Sequence, residues 1–345
     1  MMRMKLAAAF LAAAALAGCG GDRPPQFSSL VSFGDSLSDV GTYAVGTVQA
    51  LGGGKYTVNG PGPRNWIELM ASRLSLAAPC PAQTGLDGDP LQGFSVPVSD
   101  APHCTAYAQG GARVTNPVGP GNKLLGGGNA TLGQLTVPVV TQIQRHLTAN
   151  GGRFRGDEIV FVMAGGNDTF IQLATVAQGG IAPADGVAAM GLAGAQLAGY
   201  VRDQLVANGA RYVVVVNLPD VSVTPFALAE DAATQGLVNT MVTTFNGQLQ
   251  QGLSGTDVLL VDAYTTSRDQ NANPARYGIS NAIQPACDLS PAVNPLGSSL
   301  ICTEARLVSG ANANYLFADG VHPTPYGYRL LADLVTAEMA RRGWM

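Results

Sequence analysis

Charge is scarce in this sequence: Asp, Glu, Lys and Arg together make up 12% of 345 residues, about half the usual share. With 46% hydrophobic residues, that excludes a chain kept disordered by self-repulsion. The 19 basic and 23 acidic residues leave a net charge of -4, which offers no basic footprint for a phosphate backbone, so no nucleic-acid partner is expected. There is no Cys-x-x-Cys pair and no Cys/His cluster of zinc-binding spacing, so no metal or other cofactor is expected either. Neither a G-x-S-x-G elbow, a G-x-x-x-x-G-K-[ST] loop, an H-E-x-x-H helix nor a complete G-x-G-x-x-G occurs, which removes the enzyme classes those motifs carry. Long apolar runs are missing beyond the N-terminus, so no membrane helix is expected there.

The N-terminus itself reads as an export signal. Arg3 and Lys5 precede the apolar run Leu6 to Leu16, which is too short to span a bilayer, and small residues follow. Leu16 to Cys19, LAGC, resembles the bacterial lipobox, in which Cys19 becomes the lipidated N-terminus. A plain secretory cut after Ala15-Leu16-Ala17 also satisfies the small-residue rule. The lipoprotein reading is preferred, because Ala-x-Ala abounds in Ala-rich segments whereas a Cys directly after Leu-Ala-Gly does not. Residues 1–18 are then signal, 19–28 a tether, and 29–345 one domain, on an exported protein held to a membrane, an outer membrane by preference, only through that lipid. The alternative is a secreted or periplasmic protein. Of the four remaining cysteines, the sequence-local pairing of the three allowed is Cys80 with Cys104 and Cys287 with Cys302; export favours disulfides over free thiols.

From Leu30 onward strand and helix patterns alternate, which implies an α/β fold with a mostly parallel sheet covered on both faces. Five strands are predicted: Ser29–Gly34, Thr105–Gln109, Glu158–Ala164, Arg211–Leu218 and Asp257–Asp262. Helices are predicted on the Leu135, Val139, Ile143, Leu147 spacing, over Asp185 to Ala207 ahead of Asn208-Gly209, over Asp231 to Leu253, and from the Thr324-Pro325 start onward. The stretches 52–63, 78–104, 114–129 and 270–314 are rich in Gly, Pro and Asn and read as binding loops. There is no room for a membrane barrel after the last helix at Arg342, so an autotransporter arrangement is not expected.

Ligands of open α/β sheets collect at the carboxyl ends of strands, which is where the chemistry should lie. Ser36 follows the first strand. A serine nucleophile needs a base, and the chain has three histidines. His146 falls in a predicted helix, as a partly exposed residue, and His103 in a Pro-flanked loop. His322 stands before the last helix with Asp319 three residues upstream, so one loop supplies imidazole and carboxylate. Two further strand ends offer oxyanion donors: Gly110-Gly111, which lets a backbone N–H come close, and the Asn167 amide. Asp168 is expected to anchor its loop, and Trp66 to sit in the core.

The ordered blocks GDSLSD (Gly34–Asp39), GGAR (Gly110–Arg113), GGND (Gly165–Asp168) and DGVH (Asp319–His322) resemble the GDSL, or SGNH, hydrolase family from about Ser29 to the C-terminus. The resemblance implies a flavodoxin-like three-layer α/β/α fold and ester hydrolysis. It implies Ser36 as nucleophile, His322 as base and Asp319 as its partner, with an oxyanion hole from the N–H groups of Ser36 and Gly111 and the Asn167 side chain. A monomer acting on a small-molecule or lipid acyl ester is expected. The alternatives are a phospholipase or lysophospholipase with acyl transfer, a sugar O-acetyl esterase, or a catalytically idle binding module.

Overall fold

The computed structural model describes residues 24–345; the export segment and Cys19 lie outside them. Four parallel strands form the central sheet, β1 (Leu30–Gly34), β2 (Ile159–Met163), β3 (Tyr212–Val216) and β4 (Leu259–Val261), paired in that spatial order. The helices that cover it are α1 (Trp66–Arg73), α2 (Val139–Ala149), α3 (Gly166–Ala177), α4 (Pro183–Tyr200), α5 (Ala232–Leu253), α6 (Ala263–Ala272) and α7 (Pro325–Arg341).

Side chains alternate across a strand, and here the alternation builds two cores. Val31, Phe33, Val160, Val162, Val213 and Val215 face α2, α4 and α5 through Ile143, Leu197, Met241 and Phe245. Leu30, Ile159, Phe161, Met163, Val214 and Val216 face α1 and α7 through Trp66, Met70, Tyr328 and Val335. Trp66 is fully buried, edge-on to Phe161, with its indole N–H on Ser38 Oγ at 3.2 Å. The result is a mixed α/β architecture with helices on both faces of a parallel sheet. The expected cap at Thr324 forms, accepting from Gly327 N at 3.2 Å, and Asp231 also caps its helix by accepting from Thr234 N at 2.8 Å.

Four expectations are corrected. The segment Thr105–Gln109 runs beside β1 as a fifth position of the sheet, but as a single parallel bridge, Ser32 to Ala106, supported by Tyr107 N to Ser32 O and Gln109 N to Gly34 O. Its sequence, polar and Ala-rich, gives a weak strand. The helix predicted to include Leu135 starts at Val139, because Pro138 forces extended backbone before it and Thr136 has φ +51°. The helix predicted to Ala207 is regular only to Tyr200; a π-type turn over Val201–Leu205 and a 3-10 turn carry it to the left-handed Gly209. Two supposed loops contain strands: Gln83–Asp87 and Ser95–Asp100 pair antiparallel within one, and Asn281–Pro285 in the other pairs in parallel with Tyr315–Phe317 just beyond it.

Candidate active site

The end of β1 is fixed by backbone contacts. Gly34 has φ +154°, and a Cβ there would stand 2.1 Å from the Met163 carbonyl oxygen, so only glycine lets β1 leave the sheet this close to β2. The Gln142 amide clamps the same residue twice, accepting from Gly34 N and donating to Gly34 O, both at 2.8 Å. Asp35 N donates to Met163 O at 3.3 Å. The turn that follows presents Ser36, 8% exposed, with Oγ 2.9 Å from His322 Nε2.

His322 is held from the other side. Its Nδ1 lies 2.9 and 2.8 Å from the two Asp319 carboxylate oxygens. The carboxylate also accepts from Ser299 N at 2.9 Å, Val321 N at 3.0 Å and His322 N at 2.8 Å. Burial alone would raise the Asp319 pKa, but the facing His322 charge and these donors outweigh it and hold the carboxyl well below the usual range. An ionised Asp319 at Nδ1 favours the tautomer that leaves Nε2 as acceptor toward Ser36. The Tyr56 ring packs against the imidazole with centroids 4.7 Å apart.

The other strand ends carry Gly111 and Asn167. Gly111 has φ +76°, and a Cβ there would meet Pro120 O at 2.1 Å, again a position for glycine alone. Among the described residues neither the Ser36 nor the Gly111 backbone N–H donates to a protein acceptor. Asn167 lines one cavity with Ser36 and His322; its Nδ2 donates to Ala112 O at 2.8 Å, which uses one of its two N–H bonds and fixes the amide's orientation. Asp168 pins the loop below by accepting from Arg113 Nε and Val114 N, each at 2.9 Å. Burial raises the Asp168 pKa and the Arg113 charge opposes it.

His146 is not the partly exposed residue expected. It is 2% exposed, stacked on Phe154 at 4.5 Å and edge-on to Phe33 and Tyr107; desolvation pushes its pKa down to about 4. His103 is exposed beside the Cys80–Cys104 bridge. Both disulfides have the sequence-local pairing. Cys287 N donates to Ala318 O at 3.0 Å, so the second bridge is joined to the residue before Asp319.

Sequence reasoning missed four supporting residues. Gln142 has no local signature. Asp39 holds the Gly110 N–H at 2.9 Å while its other oxygen takes Gly41 N and Thr42 N; its place in the GDSLSD block was the available signal. Tyr56 and Asn59 come from a loop; the Asn59 amide reaches Ser299 O at 3.1 Å and Cys302 O at 3.0 Å, tying that loop to the one beneath Asp319.

A GDSL esterase/lipase of Arabidopsis thaliana is 24% identical over 162 residues, 44% of this chain and 43% of that protein. An uncharacterized protein encoded in the trpE-trpG intergenic region of Pseudomonas putida is 26% identical over 323 residues, 90% of this chain and 48% of the relative. Esterase EstA of Pseudomonas aeruginosa is 31% identical over 134 residues, 36% of this chain and 19% of that protein. The chain thus aligns with less than half the length of each of these relatives. Among solved structures, a carbohydrate acetylesterase of Sinorhizobium meliloti matches with a TM-score of 0.40 at 16% identity, covering 90% of this chain and 98% of that one. The family model described as GDSL-like Lipase/Acylhydrolase matches residues 30–335, and the chain belongs to that family.

Proposed function

We propose that this protein is a carboxylic ester hydrolase that works through an acyl-enzyme on Ser36. The observation that carries the reading is the continuous relay from Ser36 Oγ to His322 Nε2 at 2.9 Å and from Nδ1 to Asp319 at 2.8 Å. Ser36 Oγ attacks the ester carbonyl carbon and gives its proton to His322 Nε2. Asp319 keeps the imidazole oriented and stabilises the imidazolium without taking the proton. The carbonyl oxygen, now carrying the negative charge, is met by the N–H groups of Ser36 and Gly111 and the free N–H of the Asn167 amide. Collapse expels the alcohol, which takes the proton from His322. Water then repeats the sequence on the acyl-Ser36 ester, releasing the acid and restoring the serine.

The expected result is turnover of p-nitrophenyl esters by the purified protein and its loss in Ser36→Ala. An Ala variant that retains turnover contradicts the mechanism, and a wild-type protein that turns over no ester favours an idle binding module.

Export is part of this proposal. Two disulfides support an oxidising compartment, and Cys19 is the anchor. Cys19→Ser should release active enzyme into the soluble fraction; unchanged membrane association contradicts the anchor.

A further inference from the structure

The amide of Gln142 that clamps Gly34 also borders a second cavity, which shares no lining residue with the one that contains Ser36 and His322. This cavity encloses about 1040 Å³, including the part open to solvent. It lies between the edge segment Thr105–Gln109, the strands Gln83–Asp87 and Ser95–Asp100, and the outer turns of α2. A cleft of that order holds a small organic ligand.

Its inner wall is a continuous run of amides. Gln142 Nε2 donates to Val137 O at 2.8 Å and Val137 N to Gln109 Oε1 at 3.1 Å. Gln109 Nε2 in turn donates to Gln83 Oε1 at 3.0 Å, and Gln83 Nε2 to Asp100 Oδ1 at 2.7 Å. Gln83 and Gln109 are 7% and 2% exposed, and each of these two amide nitrogens uses one of its two N–H bonds. Tyr107 stands beside them, 9% exposed. Its ring is stacked on Phe33 at 5.4 Å and edge-on to His146 at 5.5 Å, yet its hydroxyl has no hydrogen-bond partner among the described residues. A polar group so nearly buried is ordinarily paired, and the cavity is the side from which a partner can come.

The rim carries one charge of each sign, Asp100 and Arg145, both exposed, and neither is in an ion pair among the described residues. An anion in the cleft would meet Asp100, and a cation would meet Arg145. A neutral molecule rich in hydroxyl groups both donates and accepts, so it satisfies the amide N–H bonds, the Tyr107 hydroxyl and both rim charges together. Ala82, Ala101 and Pro102 add an apolar flank for the C–H face of a ring.

We propose that this cavity is a saccharide-binding site, taking neutral sugar units through Gln83, Gln109, Tyr107 and the Asp100 and Arg145 rim. It is separate from the chemistry at Ser36 and stands independently of the ester-hydrolase reading.

The test is calorimetric titration of the purified protein with maltotriose, xylotriose and triacetylchitotriose. At least one should bind with a Kd of about 1 mM, changed less than about twofold between about 0.05 and 0.5 M NaCl, because the ligand carries no charge to be screened. Tyr107→Phe removes only the unpartnered hydroxyl and keeps the stacked ring, so it should weaken binding about fivefold while the melting temperature stays at the wild-type value. Arg145→Ala, at an exposed position, should weaken it by a similar factor. No binding of any of the three sugars up to about 20 mM overturns the proposal. So does binding that is unchanged in both variants, since Tyr107 and Arg145 line this cavity and not the one at Ser36. An affinity that falls tenfold with salt overturns it as well.

Discussion

Ser36 stands just past a strand buried along its whole length and flanked on both sides, whereas Asp319 and His322 stand at the end of a long stretch, residues 273–323, whose only paired strands are the short, irregular Asn281–Pro285 and Tyr315–Phe317. On the serine side, two apolar layers and a ladder of backbone bonds distribute the restraint over many residues. On the other side it rests on one short strand pair and a few contacts: the Ser299 N–H, the Asn59 amide, the Tyr56 ring and the Cys287–Cys302 bridge. The two halves of the proposed relay are therefore vulnerable in different ways. Perturbing the sheet should cost global stability, while perturbing the loop side should cost catalysis first, since a small misplacement of a base is felt steeply in rate.

The sharpest break should come at the centre of the loop half. Asp319→Asn keeps a side chain of the same shape but turns an acceptor toward a donor, favouring the wrong imidazole tautomer; kcat should fall about 10⁴-fold with far-UV circular dichroism unchanged. A fall below about tenfold would separate Asp319 from the relay. Next in size is Asn167→Ala, expected to lower kcat about 10²–10³-fold with little change in KM, since the amide meets the oxygen chiefly once it is an oxyanion. A rise in KM with kcat preserved would make Asn167 a binding residue instead.

The two disulfides sharpen the comparison directly, because they sit in different halves. Removing Cys287–Cys302 by double Ala substitution should cost about 3 kcal/mol in chemical denaturation and lower kcat several-fold. Removing Cys80–Cys104, which borders the weak edge segment, should cost a similar amount with kcat retained. Equal kinetic effects would contradict the division drawn here.

The smallest expected effect is electrostatic and belongs to the serine half. Asp35 has its pKa raised by burial to about 7, above an unfolded value of about 3.9. Between these values the folded state holds a proton that the unfolded state has lost, so this group's contribution to stability declines as pH rises from about 4 to 7 and stays lost above. Asp35→Asn removes that decline. The variant should melt a few degrees above wild type at pH 8 and match it at pH 4; a difference independent of pH would contradict the assignment.

How much of this the sequence carries follows the same division. The strands of the sheet announce themselves as short Val/Ile/Leu/Phe runs, and the residues placed just after them, Ser36, Gly111 and Asn167, follow from the rule that ligands gather at strand ends. His322 is legible because only three histidines compete for the role. Asn59, Tyr56 and Gln142 act through contacts between segments far apart in sequence, 240 residues in the case of Asn59 and Ser299, and no local pattern reports such a meeting. His146 is different, since with Val139 and Ile143 it stands at i, i+4, i+7, a spacing present in the sequence that puts it on the buried face of its helix.

If Ser36 is a nucleophile activated by the imidazole 2.9 Å away, one measurement shows it without a choice of substrate. Wild-type protein treated with a fluorophosphonate, digested and sequenced by mass spectrometry should carry a single phosphonyl group on the peptide containing Ser36, with Ser36→Ala unlabelled and His322→Ala labelled far more slowly. A label on any other serine, or undiminished labelling of Ser36→Ala, would contradict the account.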